Sequence, residues 1–237
     1  MKHILILTLL FSLLISQTKP KELYKIAIDI GHTPNKHGAT SARGIGEYRY
    51  NRNIALKLLA KLQQKGFYKA FVINHEGKEI KLKHRTKVAK LRNADLFISI
   101  HHDSLNKKYL KRWTYDGKKR HFSNKFKGYS IFISRKNPEN LKLATILGNN
   151  LVQEGLTPTL HHSEKIKGEH RKLLDKQKGI YDFGQLVVLR TSSIPSLLFE
   201  CGIILNKKEE LLLRDTKYQD KLVSILANSL EEYYFNN

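Results

Sequence analysis

Cysteine is almost absent from this chain: Cys201 is the single one in 237 residues. An internal disulfide framework and a multi-cysteine zinc site are therefore excluded. Acidic residues are also scarce, 21 against 43 lysines and arginines, for a formal net charge of +22. A surface so short of carboxylates selects polyanionic partners. Nucleic acid is the usual first guess for such a charge. No zinc finger, DNA-binding helix pair or aromatic-studded basic strand is present, so no nucleic-acid partner is expected. Internal repeats and low-complexity segments are missing too, and the length suits one domain with a single core.

Long apolar runs are missing with one exception, residues 4–16, which follow the basic Lys2 and His3 and are interrupted only by Thr8 and Ser12. The run is short for a bilayer span and leads into Ser16-Gln17-Thr18 and Pro20, the form of a secretory signal over residues 1–17. No clear small-x-small cleavage site follows, so an uncleaved anchor is the alternative. The absence of cysteine after the run argues against lipid attachment. The expected location is the periplasm, cell envelope or exterior, where the polyanions are envelope polymers and anionic lipid surfaces.

The rest of the chain alternates strand and helix. Residues 25–30 (KIAIDI) read as a buried strand closed by Gly31-His32. Glu47 opens a helix to about Lys65, with Asn51, Ile54, Ala55, Leu58 and Leu62 on one face and Glu47 at its N-terminal end. Phe71-Val72-Ile73 is a short strand, and a basic helix from about Ile80 to Arg92 leads to the apolar run Leu96–Ile100, which ends in His101-His102-Asp103. Residues 104–127 are densely basic and long for a structureless loop, so a small hairpin or a functional flap is expected. A strand from Gly128 to Ser134 and a helix from Pro138 with Leu143, Leu147 and Leu151 on one stripe follow. Residues 159–179 hold His161, His162, Glu164, Glu169 and His170, either a second metal site or a solvated loop. Residues 186–189 (LVVL) and 196–199 (SLLF) read as the last two strands, the latter ending in Glu200, and a helix over about 217–234 closes the chain. This pattern predicts one α/β domain, a mostly parallel sheet of about six strands with helices on both faces.

In a parallel sheet the ends of these strands share one edge, where ligands and reacting groups collect. His32, His101, His102 and Glu200 would meet there, with Glu47 facing the same edge. Two imidazoles and a carboxylate are what a catalytic zinc needs, with a fourth position left for water or substrate. A further carboxylate outside that set can move protons, and Glu200 follows an apolar Leu197-Leu198-Phe199 wall that would raise its pKa. Local alternatives stand beside this reading. Glu47 can complement a helix N-terminus, Glu200 can be tied to a backbone amide, and His32 can be a loop hydrogen-bond donor. There is no HExxH motif, and spacings of 15, 54 and 99 residues from His32 through Glu47 and His101 to Glu200 carry force only together.

Five motifs in order bear a resemblance. They are Asp29-Ile30-Gly31-His32, Gly44-Ile45-Gly46-Glu47 with Asn51, Arg85 with Ala89, Asp95 to His101, and Pro195 to Asn206. Over residues 25–234 the chain resembles the zinc-dependent N-acetylmuramoyl-L-alanine amidases, which cut peptidoglycan between the lactyl group of N-acetylmuramic acid and L-alanine. The resemblance implies one Zn2+, with His32, Glu47 and His101 as ligands and Glu200 as the catalytic carboxylate. It favours His101 over His102, which falls where the family commonly has a small residue. His102, Asn51 and Arg85 become candidate substrate-binding residues. Some relatives insert a zinc-covering helix that a protein activator displaces. Residues 159–179 occupy the comparable interval, which makes Glu164 and Glu169 candidate blocking, regulatory ligands. Thr33-Pro34 stands where the family often has glycines, and Ile203 replaces a usual Phe. Two other classes remain as alternatives: a zinc peptidase or carboxypeptidase acting on the stem peptide, and a non-catalytic cationic wall-binding module.

Overall fold

Strand β1 (Ile26–Ile30) is buried at every position. Such a strand must be covered on both faces, which is the setting of a parallel sheet between helix layers. The computed structural model describes residues 19–235; the secretory signal expected over 1–17 lies outside them. After β1 come α1 (Glu47–Gln64), β2 (Phe71–Ile73), α2 (Leu82–Leu91) and β3 (Leu96–Asp103). A hairpin of β4 (Lys111–Tyr115) and β5 (Lys118–Phe122) precedes β6 (Ser130–Ile133) and α3 (Pro138–Gln153). The chain ends with β7 (Lys172–Asp175), β8 (Ile180–Asp182), α4 (Val187–Thr191), β9 (Ser196–Ile203), α5 (Lys207–Arg214) and α6 (Thr216–Phe235).

The main sheet has seven strands in the order β2-β1-β3-β9-β6-β8-β7. β2, β1, β3 and β9 run parallel, β6 is antiparallel to β9 but parallel to β8, and β7 is antiparallel to β8. Ile28, Ile98, Leu197 and Phe199 face α1, α3 and α6 in one core, while Ala27, Phe97 and Leu198 face α2 and α4 in another. α1 buries Ile54, Ala55, Leu58 and Leu62 as its apolar spacing predicts, each large side chain stabilising by about 1.5–3 kcal/mol. Gly66, just beyond α1, takes φ +92°, the left-handed conformation that ends helices cheaply only at glycine.

Two expectations are corrected. Residues 186–189 do not form a strand; they enter α4, where Val188 and Leu189 are buried against the second core. Four apolar residues carry no period that separates strand from helix, and here α4 supplies the cover that α2 alone leaves incomplete. The mostly parallel sheet of about six strands is borne out with seven, β7 and β8 arising from residues read as polar loop and connector. Residues 159–179 hold no inserted α-helix, only a 3-10 turn at His161–Ser163 and strand β7. The basic 104–127 segment is the hairpin rather than a bare loop. Trp113 Nε1 donates to the Ala42 carbonyl at 3.1 Å, which lays the hairpin on the loop after β1.

Candidate active site

β1, β3 and β9 are neighbours and parallel, so the residues at their C-terminal ends form one rim. Side chains alternate along a strand. Leu198 faces the α2/α4 core, so Glu200, two residues on, shares that face, and His101 is its direct partner on β3. His32 follows β1 with φ +67°, a left-handed backbone uncommon outside glycine, and this turns its ring toward α1. Glu47 enters from the first turn of α1. His32 Nε2 lies 3.0 Å from Glu47 Oε2, and His101 Nδ1 lies 3.0 Å from Glu47 Oε1. The ligand-capable atoms of the three all fall within 4.8 Å of one another.

The surroundings hold Glu47 from behind. Its Oε2 accepts from Ala39 N at 3.0 Å, and its Oε1 from Asn51 Nδ2 at 3.0 Å and His102 N at 3.2 Å. Two glycines make room. A Cβ at Gly38 would stand 2.3 Å from Glu47 Oε2, and one at Gly31 would meet the His101 ring at 2.5 Å. The loop bearing Gly38 is anchored through Ser41 and Arg43 to the fully buried Glu210, at 2.7 and 2.6 Å.

Two carboxyls in this corner are driven apart. Burial pulls the Glu47 carboxyl up, but hydrogen bonds and charge from His101 and His32 together hold it well below the usual carboxylate range. Burial, then the charges of Asp103 and Glu47, push Glu200 well above it. Glu200 Oε2 is buried without a protein partner. An ionised carboxylate between two imidazoles, beside a second carboxyl that favours its proton, is the division of labour that acid–base hydrolysis requires.

The remaining sequence candidates fall elsewhere. Asn51 and His102 are buried behind Glu47, with Asn51 Nδ2 also donating to the Gly31 carbonyl and Asn51 Oδ1 2.8 Å from His102 Nδ1. Burial pushes the His102 imidazole down to about 3, so it stays neutral. Asn51 and the His102 backbone N–H both donate to Glu47, and neither side chain is exposed to the cleft. Arg85 reaches the cleft wall, yet its guanidinium donates to Asp29 Oδ1 at 2.7 Å, to the Ile30 carbonyl and to the His32 carbonyl at 2.9 Å. It fixes the turn that carries His32. Glu164 is engaged by Tyr109 and Lys125, and Glu169 by Asn106 Nδ2 at 2.7 Å; neither joins the His32 group.

A cleft of about 400 Å³ opens on the α2/α4 face, with His32 and His101 at one end and Leu186, Val188 and Leu198 along its wall. The sequence reading gave no role to Asp103, which closes β3 and bonds His162. The signal was available, since residues 101 and 103 of one strand share a face.

The sequence profile described as N-acetylmuramoyl-L-alanine amidase matches residues 26–232. A Buchnera aphidicola protein is 28% identical over 222 residues, spanning 88% of this chain and 94% of its own length. The N-acetylmuramoyl-L-alanine amidase AmiA of Salmonella typhimurium is 28% identical over 222 residues, 88% of this chain and 75% of that protein. Among solved structures, the amidase Ami1 of Mycobacterium smegmatis superposes with a TM-score of 0.70 at 15% identity, over 90% of this chain and 98% of that one. The amidase of Clostridium difficile 630 gives 0.69 at 24%, over 89% and 96%. At those identities the two structures establish the shared fold, and the profile establishes the rest: the chain belongs to the N-acetylmuramoyl-L-alanine amidase family and is a peptidoglycan amide hydrolase.

Proposed function

We propose that this amidase is zinc-dependent, with His32, Glu47 and His101 holding the ion and Glu200 moving the proton. The convergence of two imidazole nitrogens and an ionised carboxylate at 3.0 Å contacts carries this reading. The donor set suits zinc: three N and O ligands, no thiolate, and a side open to the cleft for water or substrate. The outer bonds from Asn51, Ala39 and His102 N fit as well, because metal-binding carboxylates are themselves oriented by hydrogen bonds. When bound, the cation supplies Lewis acidity, polarising a carbonyl and making water a better nucleophile.

The chain's own groups then account for the proton inventory. The substrate's lactyl amide enters the cleft over His101, with apolar contact to Leu198 and Val188. Glu200 takes one proton from the attacking water as the new C–O bond forms at the lactyl carbonyl carbon. The same proton passes to the alanine nitrogen as the C–N bond breaks, leaving a lactyl carboxyl and a free L-alanine amine. The raised pKa of Glu200 makes it the better base for the first of these transfers, uptake of the water's proton.

The cellular role that fits is wall turnover or daughter-cell separation after export, with residues 1–17 as the export signal. Lys111, Arg112, Lys118, Lys119 and Arg120 of the β4–β5 hairpin give the protein a cationic surface for anionic envelope polymers. Mass spectrometry of digested peptidoglycan, with and without a chelator, tests the proposal. New L-alanine amino termini should appear, vanish on chelation and return with zinc. Full activity after metal removal refutes the zinc assignment. New amines elsewhere in the stem peptide indicate a peptidase, and binding without release indicates a wall-binding module.

A further inference from the structure

Beyond Glu200, on the same face of the sheet, lies a second group of ligand-type side chains. β3 ends at Asp103, and the turn His161–Ser163 brings two imidazoles to its carboxylate. His162 Nε2 is 2.6 Å from Asp103 Oδ2, and His161 Nε2 is 3.5 Å from the same oxygen. The two rings lie against each other with centroids 3.8 Å apart. This is not a solvated loop: the Asp103, His161 and His162 side chains are only 9%, 6% and 15% exposed.

Each member is fixed from outside. His161 Nδ1 pairs with Thr159 Oγ1 at 2.9 Å, and its ring packs on Phe126. The His162 ring sits edge-on to Phe132 and Tyr181. Asp103 Oδ1 accepts from Ser104 N at 2.7 Å. What remains facing inward is two Nε2 atoms and one carboxylate oxygen. One proton shared by His162 and Asp103 explains the 2.6 Å contact. It does nothing for His161 Nε2, because 3.5 Å is too long for a useful hydrogen bond. Burial lowers the His161 pKa even with the Asp103 carboxylate beside it.

We infer that Asp103, His161 and His162 form a second divalent-cation site, distinct from the His32, Glu47 and His101 group and suited to zinc. Their ligand atoms lie within 4.8 Å of one another, as in the first group. Two imidazoles with one carboxylate and no thiolate select a borderline cation such as zinc over calcium or magnesium. His161 and His162 stand on a surface segment and Asp103 on the strand that carries His101. A cation there would clasp that segment to the end of β3, beside the cleft.

The test is metal content, independent of catalysis. Full-chain protein is stripped with a chelator, reloaded with Zn2+, passed over a weak competing chelator to clear surface histidines, and assayed by plasma mass spectrometry. Wild type should retain two equivalents per chain. His162→Ala and His161→Ala should each retain one, and His32→Ala should also retain one. A zinc count that neither His161→Ala nor His162→Ala lowers from the wild-type value overturns the inference. One equivalent in wild type that His32→Ala keeps and His162→Ala loses would remove zinc from the first site and leave this one standing. Where a variant fails to fold, zinc-soaked wild-type crystals decide: an anomalous peak among Asp103, His161 and His162 supports the site, and its absence there refutes it.

Discussion

Replacing Glu200 by glutamine should cripple the enzyme and stabilise the protein. Glu200 Oε2 is buried with no protein partner, and the charges of Asp103 and Glu47 oppose its ionisation. Glutamine keeps the size and removes the charge. Loss of a positioned proton carrier costs a factor of about 10²–10⁴ in turnover. Removing a charge that burial and two neighbouring carboxylates oppose contributes about 1.4 kcal/mol for each pKa unit of the shift, which at about 2–4 °C per kcal/mol for a domain of this size is a readable rise in Tm. The pH dependence fixes the cause. The folded carboxyl titrates above the unfolded value of about 4.3, so the stability linked to its proton is fully present below the unfolded pKa and is lost as pH rises through the folded one. The advantage of Glu200→Gln is therefore largest at alkaline pH and closes toward acid. Thermal melts of metal-stripped protein across pH 5 to 9, with muropeptide hydrolysis by the reloaded protein, make the measurement. A variant that is less stable at pH 8, or a difference that does not vary with pH, refutes the electrostatic account. Retained turnover refutes the catalytic one.

Arg85→Met should lower stability by about 3–5 kcal/mol in urea unfolding, because it breaks a buried ion pair and strands the Asp29 carboxylate. A loss below 1 kcal/mol would show that Ser99, which also donates to Asp29, suffices. Asn51→Leu should leave the fold intact and weaken zinc binding about 10–100-fold in chelator competition; unchanged affinity would deny Asn51 its positioning role. Lys118→Glu with Lys119→Glu reverses charge on the exposed hairpin. Retention on sacculi should fall and become less salt-dependent, while turnover of a small soluble muropeptide stays as in wild type.

How much of this was legible beforehand follows from the kind of signal each residue left. β1, β3 and β9 announced themselves because a strand buried on both faces reads as an unbroken apolar run. α1 announced itself through the spacing of Asn51, Ile54, Leu58 and Leu62. The rim residues were legible because each of these runs stops at a polar, chemistry-bearing side chain. β7 and β8 were not, since Lys172–Asp175 lies at the sheet edge with no buried position and Ile180–Asp182 is three residues long. α4 was misread because LVVL suits either state until its packing against α2 is known. His102 and Asn51 looked like substrate contacts from their place in the motifs. Only the side-chain directions reveal that they lie behind Glu47. The pairing of Asp103 with His162 joins residues 59 apart and leaves no local trace.

The few acids of this cationic chain are not spread evenly over its surface. Glu47, Asp103, Glu200 and Glu209 gather around the C-terminal ends of β3 and β9, all of them wholly or mostly withdrawn from water. Asp103 raises both Glu200 and Glu209, and burial with its charge lifts Glu209 to about 7 even though Gly128 N and Ile203 N donate to it. Such crowding opposes folding unless cations or protons enter the corner. The imidazoles that could share those cations, His32, His101, His161 and His162, stand in the same corner, while Arg85 is spent on Asp29 and the His32 turn and the hairpin cations, Lys36 and Lys81 stand outside. The two populations of charge then have separable effects. Salt should screen the outer one and weaken encounter with an anionic wall, whereas under the proposed zinc dependence a chelator should stop hydrolysis of even a small substrate. An enzyme in which high salt abolished turnover of a soluble muropeptide, or in which chelation merely lowered wall affinity, would have its charges arranged on some other plan.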